Sequence, residues 1–205
     1  MPVPVLLDEE SVGSNPVSTI ARLSLAQYDR MIEAGVFDQR KRQRIELIRG
    51  EIREMNPIGS VHEVVVDRLT EWSFENLPKG KVWVRVQNSI GIPLLESAPE
   101  PDLAWVARRD YSRGRPTAAD VLLVVEVAES SLAYDRGEKA DLYAEAGIAE
   151  YWVVNIPDRS VEVRREPLAG RYASLQTLRG DAEVRPLAMP ELVLRPASLF
   201  SAPKP

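Results

Sequence analysis

The sequence has 205 residues, no cysteine and a formal net charge of −5. This length fits one sizeable domain with short arms, and a chain without cysteine excludes both a disulfide framework and thiolate metal ligands. The negative net charge argues weakly against a protein that coats nucleic acid, which needs many cationic contacts to phosphates. It leaves open an enzyme whose metal site concentrates carboxylates.

The sequence carries no membrane or export signal. No apolar run approaches the about 20 residues of a membrane-spanning helix. Residues 1–20 are rich in proline, serine and acidic side chains and lack the basic start and long apolar run of a secretory signal. We therefore expect a flexible arm there, a cytoplasmic protein and no membrane partner. With no repeat or linker further on, we expect one domain over residues 21–200 and a short tail over residues 201–205.

The first half of this domain shows helix and hairpin patterns. Ser24 is a candidate cap for a helix over "LAQYDRMIEAGVF", and "RIELIRGEIREM" alternates around Arg49-Gly50 as a β-hairpin does. The segment Ser60-Val61-His62-Glu63 has the form of a capping box. The helix behind it is predicted to have an apolar stripe of Val61, Val65, Leu69 and Trp72.

The second half is dominated by strand patterns. "KVWVRVQN", "PDLAWVA" and "EYWVVNI" read as strands, and "VLLVVEVA" is apolar on both faces, so we expect it inside a sheet. Asp135 to Glu138 resembles another capping box, which would open a helix that Gly147 stops. "RSVEVRRE" and "RYASLQTL" predict a hairpin around Ala169-Gly170, and "PELVLRPASLF" a short strand with a closing helical turn. The pattern predicts an α/β fold.

One acidic residue, Glu126, lies inside the most apolar strand, "VLLVVEVAES". A lone buried carboxylate costs several kcal/mol unless it is paired or binds a metal. Asp102 opens the preceding strand, and if the two strands run antiparallel the two side chains meet at one edge of the sheet. Their repulsion, about 4 kcal/mol at about 4 Å and an effective dielectric of about 20, then requires a divalent cation or protonation of one carboxyl.

The ligand types indicate which cation this pair would bind. Oxygen ligands with one histidine and no cysteine favour Mg²⁺ or Mn²⁺ over Zn²⁺. The alternative is structural, with Asp102 capping the turn after Pro101 and Glu126 meeting an arginine. The two residues alone leave both interpretations open.

Lys139 shares the apolar stripe of the next predicted helix. It precedes Leu142, Tyr143 and Ala146 at helical spacing, a place that a surface lysine normally avoids. Its ammonium can reach back to the sheet edge, or it can snorkel from the rim of the stripe. An aspartate, a glutamate and a lysine around a metal are typical of sites that cleave phosphodiester bonds, because the metal activates water and the lysine steadies developing charge.

Six sequence blocks follow one another along the chain: "ELIRGE", "GSVHEVVVDRL", "EPDLAWV", "LLVVEVAESS", "DRGEKADLYAEAGIAEYWVV" and "GDAEVRPLAMPELVLRPASLF". In this order they resemble the Uma-two family of bacterial endonucleases. That family belongs to the PD-(D/E)XK, or restriction-endonuclease-like, superfamily. The resemblance runs from about Leu23 to Phe200.

The resemblance implies a restriction-endonuclease-like α/β fold, with a mixed β-sheet flanked by helices and additional β-hairpins. By the family pattern, Asp102 supplies the first metal ligand and Glu126 the second. The superfamily's usual lysine, two residues after the glutamate, is replaced by Ala128. The family pattern maps that lysine to Lys139 on the following helix, in agreement with the stripe.

Two further residues fall within the family blocks. Glu46 is a candidate third acidic group at the metal or, alternatively, an exposed hairpin residue. His62, the single histidine, is a candidate contact to the phosphate or to the metal's water, or else a structural residue. Glu129 departs from the family pattern, and we expect it to face solvent.

Together these features predict a Mg²⁺- or Mn²⁺-dependent endonuclease acting on DNA. Its predicted catalytic residues are Asp102, Glu126, Lys139, Glu46 and His62, and its predicted metal ligands are Asp102, Glu126 and Glu46. One alternative is a catalytically inactive protein of the same fold that binds nucleic acid or a partner protein. Another is a different metal-dependent hydrolase, since a fold does not fix a substrate.

Two arginine clusters are candidates for contacts to nucleic acid. One is "RKRQR" from Arg40 to Arg44; the other, the better candidate for phosphate contact, consists of Arg108, Arg109, Arg113 and Arg115. A homodimer is a further expectation, because the "EYW" segment and the terminal hairpin offer apolar and aromatic surface. Many members of the superfamily cut two strands as dimers.

Overall fold

The computed structural model describes residues 20–38 and 44–200 of the chain. The arm predicted over residues 1–20, except Ile20, and the tail over residues 201–205 lie outside the described residues. So does the first basic cluster, except Arg44. The described segments combine helices and strands, as the sequence predicts.

A mixed sheet forms the centre of the fold. Its strands are β3 (Val82–Val86), β4 (Leu103–Ala107), β5 (Val121–Ala128), β6 (Glu150–Asn155), β7 (Ser160–Leu168) and β8 (Arg171–Arg179). In the described residues these six strands lie in the order β3-β4-β5-β6-β7-β8, and only β5 and β6 are parallel neighbours. The most apolar strand, β5, therefore lies inside the sheet, as its two apolar faces predict.

Two hairpins have the turn geometry that their sequences predict. β1 (Ile45–Ile48) and β2 (Glu51–Glu54) form a separate antiparallel pair. Their turn residues Arg49 and Gly50 both have positive φ, 50° and 79°, as do Ala169 and Gly170 between β7 and β8, at 48° and 77°. Turns with two residues of positive φ match the twist of the flanking strands, and both hairpin predictions are confirmed.

The helices flank the sheet. They are α1 (Leu25–Glu33), α2 (Ser60–Asn76), α3 (Leu132–Tyr134), α4 (Ala140–Glu145) and α5 (Pro196–Phe200). Ser24 caps α1 through a reciprocal pair of hydrogen bonds with Gln27, as predicted. The closing helical turn is α5, but the strand expected before it is reduced to a single bridge between Val184 and Leu194. No helix in the described part of the chain combines the length and apolarity needed to cross a membrane.

The two faces of β5 pack against different helices. Val125 and its face neighbours pack against α2, while Val124 and its face neighbours pack against α4. Because side chains alternate along a strand, Glu126 shares the face of Val124 and is directed toward α4. The sheet thereby places this carboxylate under the helix that follows Lys139.

One prediction about α2 is wrong and another is confirmed in part. The helix begins at Ser60 after Gly59, with no side-chain cap, so the predicted capping box is absent. The predicted stripe keeps Val65 and Leu69, which are buried, and Trp72, which is partly buried against the same core. Val61 is 52% exposed, and the buried face begins instead at His62, one residue or about 100° further around the helix axis.

The helix that carries Lys139 begins earlier than predicted and is irregular. Ser131 precedes α3, and a π-helical turn over Asp135–Lys139 joins α3 to α4. Asp135 therefore lies inside this helix rather than at its N-cap, and its carboxylate accepts a hydrogen bond from the Ser131 hydroxyl at 2.5 Å. Gly147, with φ at 77°, ends the helix as predicted. Single π turns occur frequently at functional sites.

The surface expected around "EYW" is not present. Tyr151 and Trp152 are fully buried in β6 because both faces of that strand are covered. The terminal hairpin does expose aliphatic side chains, with Leu168 at 70% and Leu175 at 54% exposure. The homodimer stays a prediction.

Candidate active site

Asp102 and Glu126 lie side by side at one end of the sheet. β4 and β5 are antiparallel, with Leu103 opposite Val125, so the residue before β4 meets a residue near the end of β5. The backbone N–H of Asp102 donates to Oε2 of Glu126 at 3.3 Å. Both residues are almost fully buried. The strand arrangement predicted from the sequence is confirmed, while a shared metal ion stays a prediction.

The Glu126 carboxylate is held by two donors from the helix above it. Its Oε1 accepts hydrogen bonds from Nζ of Lys139 at 2.9 Å and from the Tyr143 hydroxyl at 2.8 Å. Burial raises the pKa of Glu126 to about 8, while the Lys139 ammonium acts in the opposite direction. The buried carboxylate thus meets a lysine, not the arginine of the structural alternative.

Lys139 lies between two buried carboxylates. Its Nζ is 2.9 Å from Oε1 of Glu126 and 2.8 Å from Oε2 of Glu46, and the side chain is 1% exposed. Burial alone lowers the pKa of this lysine, but the two carboxylates outweigh that effect and raise it. The side chain therefore turns inward to the sheet edge and does not snorkel. Two of its three N–H donors are used in these contacts.

Glu46 is buried in β1, not exposed on the hairpin. Its Oε2 accepts from Lys139 and from the backbone N–H of Glu100 at 3.2 Å. Its Oε1 accepts from the Tyr134 hydroxyl at 3.2 Å. Residues from β1, β5 and the π turn thus meet at one point although they lie far apart in sequence.

Asp102 accepts donors from four directions. Its Oδ2 lies 2.9 Å from the Val127 backbone nitrogen and 3.0 Å from Nε2 of His62. Its Oδ1 lies 3.3 Å from a guanidinium nitrogen of Arg44 and 3.4 Å from the Gln87 amide nitrogen. Burial raises the pKa of Asp102, but the contacts with His62, Val127 and Arg44 outweigh it and lower the pKa. Asp102 is therefore ionised at neutral pH.

His62 is joined to the cluster through Asp102. Burial lowers the pKa of the imidazole. The hydrogen bond to Asp102 and the charge of Asp102 together outweigh burial, so the net shift of the pKa is upward. Its Nδ1 is buried with no hydrogen-bond partner among the described residues. One ring nitrogen thus orients the imidazole and the other stays available for a ligand.

Sequence reasoning did not place Arg44, Tyr134, Asp135 or Tyr143 at this cluster; Arg44 was considered only as part of a basic cluster that contacts nucleic acid. Tyr143 carried a usable signal, since it lies one helical turn after Lys139 on the same stripe. Asp135 was misread as a helix cap; burial raises its pKa to about 6 although Ser131 and Lys139 act against that rise. Arg44 reaches the cluster from an irregular segment, for which periodicity gives no orientation.

A cavity of about 390 Å³ opens over these residues. Two guanidinium groups, from Arg44 and Arg53, line it together with His62. Each of the two arginines has a buried Nε without a hydrogen-bond acceptor in the described residues. Six carboxylates also line the cavity: Glu46, Glu54, Asp102, Glu126, Glu129 and Asp135. Glu129 is exposed, as predicted. The cavity is therefore strongly acidic and holds polar atoms that a ligand could engage.

The donor set of the cavity fits a hard divalent cation. Asp102 and Glu126 present carboxylates from adjacent strands, and Mg²⁺ commonly binds through one or two carboxylates together with water and substrate phosphate. In the described residues no group of three or more histidine, aspartate and glutamate side chains is arranged to hold a metal. Both oxygens of Glu46 accept from protein donors, as do both oxygens of Asp102 and of Glu126. Asp102 and Glu126 would hold the ion, and Glu46 as a third ligand stays a prediction.

The arginines predicted to contact phosphate lie away from this cavity. None of its lining residues is among Arg108, Arg109, Arg113 and Arg115. Arg108 follows β4 whereas Asp102 precedes it, and the six steps between them span about 20 Å in an extended strand. Arg109 is paired with Asp120 at 2.7 Å, and Arg115 is paired with Asp29.

The fold and the cluster define a class of protein. A mixed sheet flanked by helices, with Asp102 and Glu126 at adjacent strand ends and Lys139 beside them, is a restriction-endonuclease-like fold. Residues 25–197 match the model of the Uma2 family, which is described as "Putative restriction endonuclease". The chain belongs to this family.

One solved structure shows the same fold. It is described as the crystal structure of "a putative nuclease belonging to DUF820 from Anabaena variabilis ATCC 29413". The two chains share 16% sequence identity with a TM-score of 0.58, over 76% of this chain and 89% of the other. No curated protein matches the chain. At this identity the similarity concerns the fold.

Proposed function

We propose that this protein is a metal-dependent endonuclease that hydrolyses phosphodiester bonds of DNA. The observation that carries the proposal is the acidic cavity over Asp102 and Glu126, with the ammonium of Lys139 buried beside Glu126. Membership of a family described as restriction endonucleases supports the same reaction class. Two arginines, Arg44 and Arg53, also line the cavity. Each is paired with a carboxylate, Arg44 with Asp102 and Arg53 with Glu51, and in this proposal each shares its charge with a phosphate.

The charge of the cavity explains why a cation would be needed. Six carboxylates and two guanidinium groups line it, so a phosphodiester anion entering alone would be repelled. A divalent ion on Asp102 and Glu126 would reverse that local field and favour the ionised form of Glu126. Mg²⁺ or Mn²⁺, once bound, supplies a water of lowered pKa and a Lewis acid for the phosphate oxygens.

The protein side chains fix the geometry of this site. Lys139 and Tyr143 hold Oε1 of Glu126, which leaves Oε2 directed toward Asp102. Two of the three N–H groups of Lys139 contact carboxylates; in this proposal the third orients an attacking water and stabilises negative charge that develops on the phosphate. Glu46 keeps this ammonium in place from the opposite side.

His62 and Arg44 act around Asp102. Nε2 of His62 and a guanidinium nitrogen of Arg44 contact its two oxygens. The remaining Nδ1 of His62 can contact the phosphate or the attacking water. These contacts keep Asp102 ionised, as an oxygen ligand of a cation must be.

A plasmid-cleavage assay in Mg²⁺ or Mn²⁺ tests the proposal, with RNA of the same sequence as a second substrate. Asp102→Asn keeps the side-chain volume and removes the charge, and cleavage should fall by about 100-fold or more because several kcal/mol of charge stabilisation is lost. Asp67→Asn, on the exposed face of α2, is the matched control and should cut like the parent. Equal cleavage by Asp102→Asn and the parent would refute the proposed site.

The second candidate function is a catalytically inactive protein that binds nucleic acid or a partner protein. The net charge of −5 favours it, as does the lack, in the described residues, of three ligands arranged for one metal. Calorimetric titration with Mn²⁺ separates the two functions. Binding that Asp102→Asn abolishes supports the nuclease, whereas no binding by the parent supports the inactive protein.

A further inference from the structure

A second cavity lies along β3 and beside the segment that follows β4. It has a volume of about 710 Å³ and shares no lining residue with the first cavity. Trp83, Arg85, Arg108 and Arg109 line it, together with Asn88 and Tyr111. Its chemistry is therefore cationic and aromatic, in contrast to the acidic cavity.

Trp83 presents an aromatic surface on the edge strand of the sheet. It is 42% exposed although it is a large aromatic residue in a strand. Its indole N–H donates to the Arg109 carbonyl at 3.2 Å, which fixes the ring. The Arg108 guanidinium lies 4.0 Å from the ring centroid. Such a pairing of a fixed indole ring with arginine is typical of surfaces on which nucleic-acid bases stack.

Arg85 adds a cation that has no anionic partner. No hydrogen bond or ion pair joins its side chain to another part of the chain within the residues the structure describes, and its Nε is buried without an acceptor. Burial lowers the pKa of this guanidinium, so an anion in the cavity would relieve an unfavourable state. Arg109, by contrast, is already paired with Asp120.

The lining also contains one carboxylate, from Asp110. It accepts a hydrogen bond from the Ser112 backbone N–H at 2.9 Å. Arg85 and Arg108 have no carboxylate partner in the described part of the chain, so the cavity keeps a positive balance.

This cavity lies on the same face of the sheet as the acidic cluster. Trp83 is opposite Val106 and Arg85 opposite Ala104, and residues opposite one another on neighbouring strands share a face. Further along the chain, the Gln87 amide reaches Oδ1 of Asp102 at 3.4 Å. A polymer lying along β3 could contact both cavities, because Val106, opposite Trp83, lies four residues from Asp102. That separation, about 13 Å in an extended strand, equals roughly four nucleotide steps of one strand.

We propose that the cavity around Trp83 binds an unpaired segment of the nucleic-acid strand, with a base stacked on Trp83 and phosphates held by Arg85 and Arg108. An unpaired strand fits better than a duplex because bases inside a duplex have no free face for the indole. The inference rests on the proposed nuclease function and names its substrate: a strand with an unpaired segment about four nucleotides from the cleaved bond.

Binding measured in EDTA tests this inference without cleavage. A fluorescently labelled single-stranded 12-mer is titrated with the parent, Trp83→Ala and Arg85→Gln, next to an abasic 12-mer with the same phosphates, the matching duplex and a mononucleotide. Loss of one stacked base should weaken binding of the normal strand by about 5- to 150-fold in Trp83→Ala. The abasic strand should bind the parent and Trp83→Ala alike.

Arg85→Gln should weaken binding of both strands and make the slope of log K against log salt shallower by about 0.7 for the lost phosphate contact. Arg171→Gln is the matched control: it removes the same charge from an exposed position on β8, the other edge strand, and should bind like the parent. Similar thermal melting of Trp83→Ala and the parent confirms that the variant is folded, since Trp83 lies on an edge strand and is 42% exposed.

The inference is overturned if Trp83→Ala binds the normal strand within twofold of the parent, or if only the mononucleotide or only the duplex binds. The outcome is separable from that of the nuclease proposal. Cleavage by the parent with unchanged binding by Trp83→Ala refutes the strand site alone. Binding that depends on Trp83, in a protein that cuts no substrate, refutes the nuclease alone.

Discussion

Nζ of Lys139 lies 2.9 Å from Oε1 of Glu126, and the two residues are fully buried together. Glu46 contacts the same ammonium from its other side at 2.8 Å. One cation thus neutralises part of a buried cluster of carboxylates. The stability of the fold and the chemistry of the site depend on this same contact.

Removal of the lysine should therefore affect the fold as well as the activity. Lys139→Ala leaves Glu126 and Glu46 buried without their cation, and a broken buried pair of this kind costs about 3–5 kcal/mol. Urea denaturation measures this loss. The double variant Lys139→Met with Glu126→Gln, which removes the charges of Lys139 and Glu126 at similar volume, should recover part of it, because Glu46 still lacks its cation. A Lys139→Ala protein as stable as the parent would contradict the buried contact.

Tyr143 is a positioning residue whose removal should weaken metal binding. Its hydroxyl donates to Oε1 of Glu126 at 2.8 Å, and loss of such an outer contact typically costs about 10- to 100-fold in metal affinity. Tyr143→Phe should therefore bind Mn²⁺ more weakly by calorimetry while it stays folded. Tyr172→Phe, which loses a hydrogen bond to the Ile148 carbonyl at 2.9 Å, should bind Mn²⁺ like the parent. Equal affinities for the two variants would argue against this role.

The sequence predicted most of this site because strand and helix periodicity orient side chains. Asp102 and Glu126 were expected to meet if their strands ran antiparallel, and the helical stripe made Lys139 a candidate to reach the sheet edge; the structure shows both contacts. The hairpin turns at Arg49-Gly50 and Ala169-Gly170 followed from turn chemistry. These residues lie in regular segments, where local rules decide direction.

Residues in irregular segments were missed or misassigned because such segments have no periodicity from which side-chain direction can be predicted. Arg44 reaches Asp102 from a segment without periodicity. Asp135 and Ser60 both follow cap patterns, yet one lies in a π turn and the other inside the first turn of α2. Helix starts depend on tertiary packing as well as on capping residues, so these boundaries were one to four residues off.

A divalent ion should stabilise the protein by mass action. At a concentration about 100 times its dissociation constant, a ligand that binds only the folded state adds about 2.7 kcal/mol. For a domain of this size that corresponds to a rise of roughly 5–10 °C in Tm. Thermal melts with and without Mn²⁺ measure the rise, which Asp102→Asn should lose and Asp67→Asn should keep. An equal rise in parent and Asp102→Asn would place the ion elsewhere.

Glu162, which lies away from the candidate active site, should make the free energy of unfolding decrease at acid pH. It is buried in β7, and its carboxylate contacts Arg136 at 2.9 Å and Arg164 at 3.0 Å. Burial raises the pKa of Glu162, but the two arginines outweigh it and lower the pKa below the ordinary value of 4.5. Because the pKa of Glu162 is lower in the folded state than in the unfolded state, its ionised carboxylate contributes fully to the free energy of unfolding above pH 4.5. That contribution is lost as the pH falls through the folded-state pKa.

Glu162→Gln tests this dependence. The difference in free energy of unfolding between the parent and Glu162→Gln should be largest near neutral pH and shrink as the pH falls below about 4.5, the ordinary pKa of the carboxyl. Denaturant titrations at several pH values between neutrality and acid measure it. A difference that stays constant, or grows toward acid, would show that the arginines do not favour the charged form of Glu162.

The central claim is that Asp102 and Glu126 together hold one divalent ion beside Lys139. Anomalous diffraction from crystals grown in Mn²⁺ tests it most directly. The claim predicts a single anomalous peak within about 2.0–2.3 Å of an oxygen from each of the two carboxylates, and no peak in crystals of Asp102→Asn. Crystals of the parent with no peak there, or with a peak that contacts neither carboxylate, would contradict it.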